Sequence, residues 1–225
     1  LIRIDPNTGA GTLVAPLAGL AGLGIPGAGS NFELDYGLAF TADGRLWLSS
    51  DTLSMLWEGN PANGSTRLVG ATGARITGLA ARGNELFGVS AAGSEALYRI
   101  DLATGSAVLV GSLGLADRMY DAGLDFDAAG RLWITLDYFS PPSGIPPLRN
   151  DLAQINPTTG ALSGLRTITG AGSGIDTVQM EGLAIAPPAL VSVGTEPAPV
   201  PGPGLPALAL LGLLAVAMGV RRLSH

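Results

Sequence analysis

Four stretches of this chain are copies of one another, and a chain built from copies has few folds open to it. They read LIRIDPNTGAGTLV from Leu1, LWEGNPANGSTRLVG from Leu56, LYRIDLATGSAVLVG from Leu97 and LAQINPTTGALSGLRTITG from Leu152. Each is a β-rich run, a short link and a second β-rich run, which is the pattern of a hairpin. The link opens on Asp5, Asn60, Asp101 or Asn156 and closes on Gly9, Gly64, Gly105 or Gly160. A short Asp or Asn side chain accepts hydrogen bonds from turn amides, and glycine takes the positive φ that such hairpins need. These acids therefore read as turn-makers rather than as site residues.

A second unit lies between the first ones: DYGLAFTADGRLWLSS from Asp35, ITGLAARGNELFGVS from Ile76 and DAGLDFDAAGRLWITL from Asp121, with a lone MEGLAIAP from Met180. Its turns fall at Asp43-Gly44, Gly83-Asn84 and Ala129-Gly130, and Trp47, Phe87 and Trp133 share one place in it. Burying a ring is among the largest local contributions to stability, so these aromatics are expected to pack between neighbouring sheets. The aligned Gly-Leu pairs at Gly37, Gly78, Gly123 and Gly182 give successive spacings of 41, 45 and 59 residues. That period, with four strands per period, predicts an all-β chain of β-propeller blades. Complete blades are expected over 36–70, 76–111 and 121–168, with half a blade before them and a fifth entered at GLAIAP, about three and a half blades in all. The chain is accordingly expected to be an N-terminally truncated piece. A β-sandwich of the same strand count is the competing architecture, but it gives no reason for strictly alternating long and short repeats.

Composition removes several chemistries. There are 34 Gly, 16 Pro and no Cys, so the chain is turn-rich and has neither disulfides nor thiolate metal sites. All eighteen acids precede residue 200 but only ten of the twelve Arg do, so the body carries a charge of −8 and makes a poor nucleic-acid ligand. The one histidine, His225, is the last residue, so the body holds no Ser-His-Asp triad and no imidazole base. GAGSGIDT from Gly170 has the glycines of a phosphate loop without its Lys, and DFDAAG from Asp125 lacks the spacing of a Ca²⁺ loop.

In a propeller the tight turns share one end of the sheets, and the longer, variable connections emerge at the other, where binding residues usually lie. The candidate ligand-binding residues there are Tyr36, Tyr120, Asp137, Tyr138 and Phe139. Asp35 and Asp121 stand two residues before a Gly-Leu pair and Glu181 one residue before, so all three are candidate oxygen ligands for Ca²⁺ at the mouth of the channel. Solvated loop carboxylates are the plainer reading of the same residues.

With these repeats, residues 1–187 resemble the secreted bacterial β-propeller repeat proteins whose copies read LYxIDxxTGxxTLVG. That resemblance implies architecture rather than activity. MEGLA is similar to the segment that carries the metal-binding Glu of gluconolactonase-like propellers, which implies a metal-dependent hydrolase as the alternative function.

The tail has a different texture. Residues 188–204 are Pro-rich and expected to be an extended linker. From 205 to 225 comes ALALLGLLAVAMGV followed by Arg221 and Arg222. About 15 apolar residues reach roughly 22 Å as a helix, enough to span a membrane with local thinning. A box of Val200, Pro201, Gly202, Pro203 and Gly204, then a short apolar helix, then an Arg pair, resembles the PEP-CTERM protein-sorting signal. Gly202 stands where that box has Glu. The resemblance implies export from a Gram-negative bacterium, tethering in the inner membrane, and processing by an exosortase-type enzyme for the cell surface or the exopolysaccharide matrix. An Arg pair inside and an acidic body outside agree with the positive-inside rule. The expected function is thus non-enzymatic: a surface or matrix propeller that binds exopolysaccharide or another surface protein through its loop end.

Overall fold

The computed structural model describes residues 1–5, 7–17, 20, 36–91, 93–138, 149–170, 180 and 182–185. All regular structure among them is β-strand. The chain divides into two compact units, Leu1–Ile2 with Leu13–Ala189, and Arg3–Thr12 with Leu190–His225. The described part of the second unit belongs to the hairpin of β1 (Ile2–Ile4) and β2 (Gly11–Leu13).

The first unit contains three four-stranded antiparallel sheets. The first is β3 (Tyr36–Phe40), β4 (Leu46–Ser50), β5 (Met55–Gly59) and β6 (Thr66–Ala71). The second is β7 (Ile76–Arg82), β8 (Glu85–Ser90), β9 (Ala96–Ile100) and β10 (Ala107–Ser112). The third is β11 (Met119–Phe126), β12 (Leu132–Tyr138), β13 (Asn150–Ile155) and β14 (Leu162–Thr167). Strand order within each sheet is sequence order, and the first strands lie side by side, β3 by β7 and β7 by β11. A sandwich would pass strands between two facing sheets; these meanders are the arrangement of successive blades.

The turns form as their residues dictate. The Oδ1 of Asp101 accepts the amides of Ala103 at 2.7 Å and Thr104 at 3.0 Å, and the Gly105 amide donates to the Asp101 carbonyl at 2.8 Å. Asp5 and Asn156 repeat this arrangement, and Asn60 keeps the bond to the amide two residues on. The aligned aromatics sit on the second strands. Trp47 is fully buried and donates from Nε1 to Thr41 Oγ1 at 3.0 Å, and Phe87 meets Phe126 of the next sheet edge-on with centroids 5.4 Å apart. Apolar layers fill both gaps: Ala39, Trp47 and Leu56 against Ile76, Leu86 and Ile100, then Phe87, Val89 and Leu97 against Leu124, Leu132 and Leu136. Each of the larger aliphatic and Phe side chains contributes roughly 1.5–3 kcal/mol by leaving water.

The Gly-Leu pairs mark where the first strands touch. A methyl group on Gly37 would stand 2.7 Å from the Thr77 carbonyl oxygen, and one on Gly123 would overlap the backbone of Gly182 and Leu183. Only glycine permits backbones to approach so closely. Residues 182–185 therefore run beside β11, where a fourth first strand was expected, but without forming a ladder. The residues assigned to the linker and to the apolar tail lie outside the described ones. No helix among the described residues is long and apolar enough to cross a membrane.

Candidate functional site

Sequential meanders put alternate connections at opposite ends of the sheets. Arg–carboxylate pairs neutralise the tight-turn end of each of the three sheets, though from different strand positions. Arg45 Nε meets Glu58 Oε1 at 2.7 Å, Arg82 meets Glu85 at 2.9 Å, and Arg131 meets Asp127 at 2.6 Å. Arg67 and Arg99 add second partners to Glu58 and Glu85. Hydrogen bonding from Arg45, against the opposing effect of burial, holds the Glu58 carboxyl down at about 2. The Arg45 guanidinium also lies 4.3 Å above the Trp47 ring. Repetition marks these contacts as scaffold.

The other end differs. There Ser50, Asp51, Ser90, Asp121, Asp137, Asn150 and Asp151 are buried, although charged side chains are rarely buried unless paired. Four of the seven belong to the third sheet. Asp121 lies opposite Asp137, and Asp137 opposite Asn150, so the three side chains stand in a row on one face. Thr77 of the second sheet donates its hydroxyl to Asp121 Oδ1, which also accepts the Ala122 amide at 2.7 Å. Asn150 Oδ1 accepts the Met180 amide at 3.1 Å.

On the opposite face, packed on the second sheet, the buried Asp151 organises a cluster. Its Oδ2 accepts the Tyr138 hydroxyl at 2.9 Å and Arg149 Nε and Nη2 at 2.9 and 2.6 Å. The Arg149 guanidinium lies 4.6 Å above the Tyr138 ring, and its Nη1 reaches Asp117 Oδ2 at 3.0 Å. Burial raises the Asp151 carboxyl, but hydrogen bonds from Arg149, Thr167 and Tyr138 outweigh it and leave the group below its ordinary range. Burial, reinforced by the Asp151 charge, pushes the Tyr138 phenol far up, so it remains a donor. A cavity of about 430 Å³ opens beside this cluster, lined by Leu115, Asp117, Tyr138, Arg149, Leu162 and Leu165 among others.

Several residues lie elsewhere than their sequence suggested. Asp137 and Tyr138 do not belong to the connection after β12; they are the last residues of that strand and are buried. Asp121 is inside β11 and only 4% exposed rather than in a solvated loop. The ladders simply continue further towards this end than the polar residues imply. Tyr36 is half-buried in β3 with its ring edge-on to Trp57, and Tyr120 is exposed on β11. Asp35, Phe139, Glu181, Val200, Pro201, Gly202, Pro203, Gly204, Arg221 and Arg222 lie outside the described residues. Among the described residues no three acids or histidines group so as to hold a metal ion.

Sequence reasoning missed Thr77, Arg149, Asn150 and Asp151. One signal was present: Asp151 precedes Leu152 where the other copies place Met55 before Leu56 and Ala96 before Leu97. An acid at a repeat position that is otherwise apolar marks a departure from scaffold.

No protein-family model matches the chain, and no curated protein matches it significantly by sequence. Solved structures similar to parts of it include the following three. Hydrazine synthase from Kuenenia stuttgartiensis is 14% identical over 59% of this chain and 36% of that one, with a TM-score of 0.41. Regucalcin from Agrobacterium tumefaciens, described as a calcium-binding protein, is 19% identical over 60% of this chain and 42% of that one, with a TM-score of 0.42. The Dos1 propeller is 15% identical over 59% of this chain and 36% of that one, with a TM-score of 0.38. This chain thus spans well under half the length of each of them.

Proposed function

We propose that this chain is an exported, non-enzymatic β-propeller that binds a glycan or protein partner through the end of its sheets that carries the 113–118 connection, Tyr138 and Arg149. One contrast carries the reading. Charges at the tight-turn end are met by Arg–carboxylate pairs at the surface in all three sheets, whereas the other end of the third sheet keeps Asp121, Asp137, Asn150 and Asp151 buried. Burying acids and amides works against stability, and a scaffold alone has no use for four of them at one end of one sheet, where the first sheet buries only Asp51 and the second no acid or amide among the described residues. The tail supports export: its box, apolar run and Arg pair resemble a sorting signal that tethers a protein in the inner membrane of a Gram-negative bacterium. An exosortase-type enzyme then releases it to the surface or to the exopolysaccharide matrix.

The test is expression of the full chain, tagged ahead of Val200, in a bacterium with and without its exosortase. The tag should leave the membrane fraction for the surface only when the enzyme is present, and the surface form should co-sediment with the host exopolysaccharide or with a surface protein. Retention in the cytoplasm under both conditions rejects the reading.

A second reading has one observation in its favour. Asp121, Asp137 and Asn150 stand in a row, and Asn150 holds the amide of Met180, the neighbour of Glu181. Oxygen donors so placed suit Ca²⁺ and a lactonase-like hydrolase. Calorimetry with Ca²⁺ that gives neither heat nor a shift in melting temperature removes it.

A further inference from the structure

We infer that the cavity between the 113–118 connection and β14 is a binding site for an organic carboxylate with an apolar body, and that Arg149 reads the carboxylate. Asp117 is the built-in occupant of that position. The cavity lies at the end of the sheets proposed above to bind a partner and the inference rests on that reading, but its test does not depend on how the protein is sorted.

Arg149 is held in place by the protein itself. Two of its nitrogens, Nε and Nη2, are committed to Asp151 Oδ2, and Asp151 is fully buried. Its flat face is committed to the Tyr138 ring. Anchored on two sides, the guanidinium keeps its orientation whether or not anything meets its remaining edge. That edge carries Nη1, and the group on it is the carboxylate of Asp117 at 3.0 Å. The two bonds to one guanidinium are unequal. Asp151 is sealed from water, whereas the Asp117 side chain is 63% exposed on a connection between sheets. An exposed pair is weak, because water and salt compete for both partners. A second carboxylate can therefore replace Asp117 without disturbing the buried half of the cluster.

The rest of the cavity defines what that carboxylate is attached to. Leu113, Leu115, Leu162 and Leu165 supply apolar walls, and Leu165 remains 44% exposed. A volume of about 430 Å³ is the scale of a small-molecule site. Apolar walls with one anchored cation at the side suit an acid carrying a short branched or linear hydrocarbon. Two sources share this chemistry, a free short-chain acid and the C-terminal carboxylate of a polypeptide that ends in an apolar residue.

The experiment is a ¹H–¹⁵N NMR titration of the full chain with hexanoate and with N-acetyl-leucine, each beside its uncharged amide. The expected result is saturable shifts at Leu115, Leu165 and the Arg149 side chain with at least one acid, with a dissociation constant on the order of 1 mM for so small a ligand. The amides should leave these signals in place. Binding of N-acetyl-leucine alone identifies a polypeptide end, and binding of hexanoate alone a free acid. Asp117→Asn removes the competing carboxylate on an exposed side chain, so it should fold normally and tighten binding by roughly twofold to fivefold. Amides that bind as well as the acids overturn the inference. So does an Asp117→Asn affinity that is unchanged or weaker.

Discussion

Gly78 faces Ala122 across the gap between the second and third sheets so closely that a methyl group on Gly78 would lie 2.5 Å from the Ala122 carbonyl oxygen. That nearest neighbour is backbone, which cannot rotate away as a side chain can. Gly78→Ala should therefore force the two sheets apart and cost about 2–3 kcal/mol. Gly44→Ala tests the other use of glycine: its φ is +83° and nothing lies within 4 Å of the added methyl, so only the backbone penalty of roughly 1–2 kcal/mol applies. Urea unfolding of the two variants measures the difference, and equal midpoints would contradict the close approach.

The Arg149–Asp151 pair should respond unequally to loss of either partner. Arg149→Met strands a fully buried carboxylate and should cost about 3–5 kcal/mol. Asp151→Asn leaves a half-exposed guanidinium that water can solvate, while the Tyr138 hydroxyl keeps an acceptor, so about 1–2 kcal/mol is expected. Chemical denaturation that ranks Asp151→Asn as the more damaging variant would mean that burial is not what sets the energetics here.

Acid should loosen the first sheet through Glu58. Its folded pKa of about 2 lies below the ordinary 4.5, chiefly because of the hydrogen bond from Arg45. A depressed carboxyl contributes stability that is whole above about 4.5 and is lost as pH falls towards 2. Melting temperatures measured across that window should fall less steeply for Glu58→Gln than for the unaltered chain. Parallel curves would show that the pair with Arg45 does not persist in solution.

Turn chemistry predicts a graded effect at Asp101. Asp101→Ala removes the acceptor of two turn amides and should lower the melting temperature, though only modestly because water reaches this turn. Asp101→Asn should cost much less, since Asn60 and Asn156 make the same turn in their own copies. Thermal unfolding of both variants decides the matter.

Most of the fold was legible because its signals are local. Blades expected over 36–70, 76–111 and 121–168 are found as sheets spanning 36–71, 76–112 and 119–167. Asp101, Gly105 and their counterparts act within four residues of themselves, and strand alternation needs only neighbours. The candidate site was legible in part. Asp137 and Tyr138 looked like the start of a loop because they are polar and lead into FSPPSG, yet the ladder with β13 carries Asp137 to a position opposite Asn150. Nothing local distinguishes a polar residue that ends a strand from one that begins a loop.

Taken alone, the amino-acid order settled the strands, the turns, their period and the absence of imidazole and thiol chemistry from the body, because each of these rests on residue type or on contacts a few positions apart. Only the tertiary structure decided which polar residues are buried and what they touch. Arg149 meets Asp117, 32 positions away, and Thr77 meets Asp121, 44 away. Such pairs depend on how one sheet's connection lies over the next sheet, and that geometry is set by the close backbone approach at Gly37, Gly78 and Gly123. Spacing along a repeat shows that those glycines recur; the gap they permit, and the side chains that fill its far end, exist only once the sheets have met.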